Sequence, residues 1–191
     1  MVYLTFDDGP IPEVTPWILD VLKVHKAKAT FFCIGENVNK NPSIFKRIIE
    51  EGHAIGNHTY NHLNGWKTNA DDYIQNCERF EEMINQYQKD ISISSMSISE
   101  KLFRPPYGKL TSKQSKSLQQ RGYAICMWDL LSGDFSQKIS PEKCLQNVIR
   151  YCSPGNIIVF HDSLKAEKNL RFVLPKILDF IAEKKWKCAR I

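Results

Sequence analysis

Val2-Tyr3-Leu4-Thr5-Phe6-Asp7-Asp8-Gly9-Pro10, "VYLTFDDGP" at positions 2–10, is an apolar strand-forming run that leads directly into two adjacent carboxylates and a Gly-Pro turn. Asp, Gly and Pro are common turn residues, so the plain reading is a buried strand closed by a polar turn. The sharper reading is a site where one carboxylate holds a cation and the other does chemistry. The stretch alone does not separate these readings, and the partners must be sought elsewhere in the chain.

Moving outward, strand and helix patterns alternate. After the first strand, Thr15 reads as an N-cap with Pro16 at the first helical position and an apolar stripe through Ile18, Leu19 and Leu22. "ATFFCI" (29–34) is a second strand, Asn41-Pro42 opens a helix that Gly52 stops, and "HAIGN" (53–57) is a third strand. A helix is predicted over about 70–88, where Ile74, Cys77, Phe80, Ile84 and Tyr87 recur at three-to-four spacing. "ISISSMSISEK" (91–101) permits either a strand or a loop. "KLFRP" (101–105) and "YAICMW" (123–128) are strands four and five, with a polar helix between them that ends at Gly122. Ser140-Pro141 starts another helix, "NIIVF" (156–160) is strand six, and "WKCAR" (186–190) is a candidate seventh. Pro175 predicts a kink or a later start in the helix over about 169–185. About seven strands alternating with helices make a parallel α/β protein, either barrel or open sheet, and 191 residues suit one domain spanning 1–191.

Composition narrows the partners. The chain is 42% apolar and 25% charged, ordinary for a globular protein. Its net charge of +5 comes from scattered basic residues rather than a block, so nothing motivates nucleic-acid binding. The weak positive field tolerates an anionic polymer as substrate. Cysteines 33, 77, 126, 144, 152 and 188 include no C-x-x-C pair, which argues against a structural zinc knuckle and for reduced, buried thiols. No signal peptide or membrane span is readable. The expected location is the cell envelope or outside the cell if a leader has been removed, and the cytoplasm if the chain is complete.

The polar residues that the pattern leaves over share one location. Asp7-Asp8, His58 and His62, Arg104, Trp128-Asp129 and His161-Asp162 all follow strand C-termini, the edge where parallel α/β folds build active sites. In "HTYNH", His58 and His62 stand four apart, a spacing that on a helical turn aims both imidazoles the same way. Taken alone, such a pair is more often unrelated than not, and Thr59 stands where the thermolysin-type motif has its Glu. Two histidines and one carboxylate nevertheless form a catalytic zinc set, with Asp7 or Asp8 as the third ligand and the other as base. His161 suits a general acid, or else a structural histidine satisfied by Asp162. Arg104 is either a surface residue of a proline turn or the cation that holds a catalytic Asp ionised.

"TFDDG", "HTYNH", "RPPYG" and "FHD", in this order, resemble the polysaccharide deacetylases with the NodB homology domain, carbohydrate esterase family four. Each motif is weak and the ordered set is specific, and the resemblance runs from residue 2 to about 190. It implies a distorted (β/α) barrel and hydrolytic, metal-dependent removal of acetyl groups from N-acetylglucosamine residues of a glycan such as peptidoglycan or chitin oligomers. By that resemblance Asp7 is the general base, and Asp8, His58 and His62 are ligands of a divalent metal, zinc first, with cobalt, nickel or manganese as alternatives. Arg104 orients the base, the Tyr107 N–H is the oxyanion donor, and His161 is the general acid. Val159 lines the acetyl-methyl pocket, with Pro105, Pro106 and Trp128 beside the substrate; Trp128 reads first as core and second as a sugar-stacking ring. One motif departs from the family: in "WDLLSGDF", Leu131 and Phe135 replace the first Asp and the Trp of Asp-x-x-Asp-Trp. Asp129 or Asp134 is left to support Arg104. The competing functions are hydrolysis of another acyl group, such as O-acetyl xylan or a small amide, and a non-catalytic carbohydrate-binding module.

Overall fold

A computed structural model of the chain describes residues 1–91 and 101–191. The Ser/Ile-rich segment 92–100 therefore lies outside the described residues. The strands are β1 (Val2–Asp7), β2 (Thr30–Cys33), β3 (Ala54–Asn57), β4 (Lys101–Phe103), β5 (Tyr123–Ile125), β6 (Leu130–Leu131), β7 (Ile157–His161) and β8 (Cys188–Ala189). Helices α1 (Thr15–Val24), α2 (Gly35–Lys40), α3 (Pro42–Glu50), α4 (Ala70–Ile91), α5 (Ser112–Gln120), α6 (Pro141–Ile149) and α7 (Glu167–Glu183) alternate with them.

The sheet order is β5-β4-β3-β2-β1-β7-β6, and every ladder is parallel. β5 and β6 end the order and no ladder joins them among the described residues, so the seven strands curl into a half-barrel rather than a closed ring. β8 pairs only with the start of β1, at Val2 and Tyr3. The foreseen seventh strand is thus an accessory, and the seventh member of the main order is β6. Two residues of "WDLLSGDF" are too short a run to carry a period-2 signal. The short helix α2 is likewise absent from the sequence reading.

Alternation along β1 sorts its side chains between two layers. Val2, Leu4 and Phe6 join the main core under the helices, with Ile18, Leu22, Phe31 and Phe160. Thr5 and Asp7 point instead to the concave side, where Thr5 Oγ1 and Asp7 Oδ1 both accept from Arg104. Register then lines up the functional edge. Asp7 pairs with Phe32 on one side and His161 on the other, while Cys33 pairs with Asn57 and Asn57 with Phe103. The residues immediately after these strands therefore emerge on one rim.

Two helix expectations need correction. Thr15 is inside α1, whose cap position is Val14 with no side-chain bond. The Thr15 hydroxyl instead accepts from the Ile11 N–H and donates to Asp162, so tertiary demand outcompetes the local cap. Pro175 does not delay α7, which begins earlier than foreseen and contains it. An internal Pro costs about 3 kcal/mol. Six buried apolar side chains on that helix, Leu170, Val173, Leu174, Ile177, Leu178 and Ile181, contribute about 1.5–3 kcal/mol each and outweigh it. No described helix is long and apolar enough to cross a membrane.

Candidate active site

The rim opens into a cleft of about 810 Å³ lined by Asp7, Asp8, His58, His62, Pro105, Tyr107, Trp128, Leu131, Phe135, Val159 and His161, among others. Of the residues singled out in the sequence, Arg104 lies buried behind its wall and Pro106 is buried in the 3-10 turn Pro106–Gly108. Asp129, Asp134 and Asp162 do not line it either, and the remaining candidates, Asp7, Asp8, His58, His62, Pro105, Tyr107, Trp128, Val159 and His161, converge on the cleft.

The adjacent carboxylates are separated by backbone geometry. Asp7 ends β1 on the concave face, and strict alternation would send Asp8 towards the helices. Asp8 has instead a positive φ of 89°, its N–H donates to Phe32 O, and its carbonyl accepts from Asn37 Nδ2 of α2. That turn is clamped from below by Asp162, fully buried, whose carboxylate accepts from the Gly9 N–H at 2.8 Å and the Thr15 hydroxyl at 2.7 Å. A Cβ on Gly9 would lie 1.8 Å from Asp162 Oδ2, which is why glycine follows the two aspartates. Burial pushes the Asp162 carboxyl up to about 8, against those hydrogen bonds.

Asp8, His58 and His62 each offer one ligand-type atom, and the three atoms lie within 4.8 Å of one another. His62 Nε2 is 3.2 Å and His58 Nε2 3.7 Å from Asp8 Oδ1. The histidines do not share a helical turn, as their spacing had suggested; they flank a loop in which Thr59 (φ 62°) and His62 (φ 56°) are left-handed. Such a φ is strained for a β-branched residue and needs external support. The support comes from Asn57 Oδ1, which accepts from the Thr59 N–H, and from α4, whose Asn76 Oδ1 accepts from the Tyr60 and Asn61 amides. Neither contact was readable from "HTYNH".

The donor chemistry fits a divalent cation. His58 Nδ1 bonds Arg104 O at 2.8 Å, which as a carbonyl can only accept, so Nδ1 carries the proton and Nε2 is the free lone pair. Burial pushes the His58 pKa down to about 4, keeping the imidazole neutral as a ligand must be. Burial would raise the Asp8 carboxyl, but the His62 bond and the neighbouring imidazoles outweigh it and bring it to about 2.

Arg104 is 0% exposed, which demands that all five of its N–H groups find acceptors. Nε donates to Cys126 O, Nη1 to Thr5 Oγ1 and Asp7 Oδ1 (2.8 Å), and Nη2 to Met127 O and Cys126 Sγ. Its guanidinium also lies 4.0 Å from the Phe32 ring centroid. No carboxylate other than Asp7 is needed: main-chain carbonyls after β5 do the work expected of Asp129 or Asp134. Asp129 is exposed and accepts from the Ile157 N–H.

Asp134 serves His161. It is fully buried, and its two oxygens accept from the His161 N–H at 2.7 Å and from Nδ1 at 2.8 Å. The alternative pairing of His161 with Asp162 does not occur, since Asp162 is engaged under the Gly9 turn. Burial opposes a charged imidazole, but the bond and charge of Asp134, with Asp7 and Asp8 beyond, raise the His161 pKa to about 9. Phe135 stands edge-on to the same ring at 4.9 Å. The pairing spans 27 residues, and its only sequence signal was the surviving Asp of the degraded motif.

Tyr107 has a left-handed φ of 59° and lays its ring 4.6 Å from that of His62. The half-buried Trp128 lines the cleft beside Gly108, rather than being core alone. Leu131 pairs in register with Val159, and both line the cleft.

A family model for polysaccharide deacetylases matches residues 1–126. A peptidoglycan-N-acetylglucosamine deacetylase of Bacillus cereus is 41% identical over 162 residues, 85% of this chain and 56% of the relative, so the chain spans little more than half of that protein. A chitooligosaccharide deacetylase of Sinorhizobium fredii is 32% identical, with 84% of this chain and 71% of the relative covered. The crystal structure of the Bc1960 peptidoglycan N-acetylglucosamine deacetylase, in complex with 4-naphthalen-1-yl-N-oxidanyl-benzamide, superposes with a TM-score of 0.89 at 37% identity, covering 100% of this chain and 85% of that one. Sequence motifs, half-barrel and relatives agree: the chain belongs to the polysaccharide deacetylase family.

Proposed function

We propose that the chain hydrolyses the acetamide of N-acetylglucosamine residues in a glycan, releasing acetate and a free amino sugar, with a divalent metal, zinc first, held by Asp8, His58 and His62. The observation that carries this reading is the triplet of ligand-type atoms within 4.8 Å, sharing its cleft with two separately buttressed side chains that are register partners, Asp7 and His161. A bound dication supplies Lewis acidity, polarising an oxygen and making hydroxide accessible near neutral pH.

The chain's own residues do the rest. Arg104, itself held by Thr5 Oγ1, fixes the Asp7 carboxylate, leaving it to take a proton from the attacking water as general base. As the acetamide carbonyl becomes tetrahedral, the Tyr107 N–H donates to its oxygen, a contact typically worth about 3–4 kcal/mol. His161, charged below about pH 9, delivers a proton from Nε2 to the departing nitrogen while Asp134 holds Nδ1. Without that proton the leaving group is an amide anion, and C–N cleavage stalls. Val159 receives the acetyl methyl, and Pro105, Trp128 and the edge of the Pro106 turn border the sugar.

Metal analysis together with acetate release from N-acetylglucosamine oligomers tests the reading. The expected result is about one metal per chain and acetate that disappears with chelation. No acetate from chitin oligomers or peptidoglycan fragments by fully loaded protein would contradict it, and release from acetyl-xylan alone would shift the activity to O-acetyl groups.

A further inference from the structure

The loop after His62 presents Trp66 to solvent, 64% exposed. A Trp left outside forgoes the burial that makes it valuable in a core, yet this ring is held in place. Its Nε1–H donates to Leu110 O at 3.3 Å, its main-chain N–H donates to Asn64 Oδ1, and Lys109 Nζ sits 3.9 Å from the ring centroid. The loop beneath is equally fixed. Gln114 is fully buried and donates through Nε2 to Gly65 O and Thr68 O, while its Oε1 accepts from the Thr111 N–H. Gly65 fits so closely that a Cβ there would lie 2.4 Å from Lys109 O. The loops 63–68 and 107–111 are therefore one rigid unit.

That unit continues the cleft. Tyr107, 60% exposed, belongs to the cleft wall and lies against the His62 ring at a tilt of 52°; two residues later Lys109 reaches Trp66, which stands outside the cleft itself. A ridge thus runs from a metal-type ligand, over one exposed aromatic ring, to a second. A polymer chain seated with one residue in the cleft has to pass over this kind of rim. The apolar C–H face of a pyranose matches a rigid aromatic face, and Lys109 and the polar loop edges offer partners to its hydroxyl or carboxylate groups.

We propose that Trp66 is a remote glycan subsite, binding a sugar ring of the substrate chain beyond the one deacetylated. This rests on the glycan reading of the cleft and adds a chain-length dependence to it. The test compares wild-type, Trp66→Ala and Trp66→Phe proteins on N-acetylglucosamine dimers and hexamers. Trp66→Ala is expected to lower kcat/KM for the hexamer about tenfold and leave the dimer within about twofold, with Trp66→Phe between. Its melting temperature should not move, because the side chain is exposed. In parallel, calorimetric titration of hexamer into chelator-treated protein should show about tenfold weaker binding for Trp66→Ala. Equal hexamer binding by wild type and variant overturns the subsite, and this measurement decides where the two assays differ. If binding depends on Trp66 but wild type releases no acetate, the subsite stands and the deacetylation reading falls.

Discussion

The two walls of the cleft are built on opposite principles. On the β1–β3–β4 wall, Asp7, His58 and Arg104 are buried and tied together by hydrogen bonds, and all five N–H groups of Arg104 have acceptors. On the β6–β7 wall, Leu131 (40% exposed) and Phe135 (42% exposed) face the opening with apolar surface, around His161, which is tied to Asp134. The first wall is over-determined, because a buried charge without its partner costs several kcal/mol. The second is loosely constrained, because a half-exposed apolar side chain contributes little to stability and can vary with the substrate. The first wall is fixed polar groups throughout, and the second is one anchored polar pair set in apolar surface that can vary.

The largest expected effect breaks the first wall. His58→Ala removes a proposed metal ligand, so both bound metal and acetate release should fall to background, as read by elemental analysis and an acetate assay. Retention of stoichiometric metal would mean that the triplet is not the site.

An intermediate effect separates the polar island of the second wall from its surroundings. Asp134→Asn removes the group that raises His161, so the imidazole should lose its proton at lower pH, and the alkaline limb of the kcat profile should move down. The loss at optimum pH should be about 10²–10⁴-fold, the usual range for a general acid. The stability sign follows from a folded pKa of about 9 against 6.5. The pair stabilises fully below about pH 6.5, and its contribution is lost as pH rises through about 9. Melting curves across that window should therefore fall with pH in wild type and be flatter in Asp134→Asn.

The smallest effect probes the variable wall. Leu131→Ala should change KM a few-fold with stability within about 0.5 kcal/mol, since the side chain is half exposed. A collapse in kcat would show that the apolar part of this wall does more than border the substrate.

The same contrast explains what could be read beforehand. Period-2 and period-3.6 patterns are local, so six strands and most helices were legible, and the motifs at strand ends pointed to one rim. The exceptions are long-range or brief. β6 is two residues long, and Thr15 was diverted from capping by Asp162, 147 residues away. His58 and His62 meet through a left-handed loop braced by Asn76 of α4, not through helical spacing. The supports of Arg104 are main-chain carbonyls, which no side-chain motif records. Asp134, suspected of serving Arg104, serves His161 instead.

The central claim is that the two adjacent carboxylates of "TFDDG" have separate tasks, Asp8 holding the metal and Asp7 acting as base. Acetate release by metal-loaded Asp7→Asn tests it most directly. The expected result is a metal content equal to wild type with turnover reduced at least about 10²-fold. Turnover near the wild-type rate would contradict it.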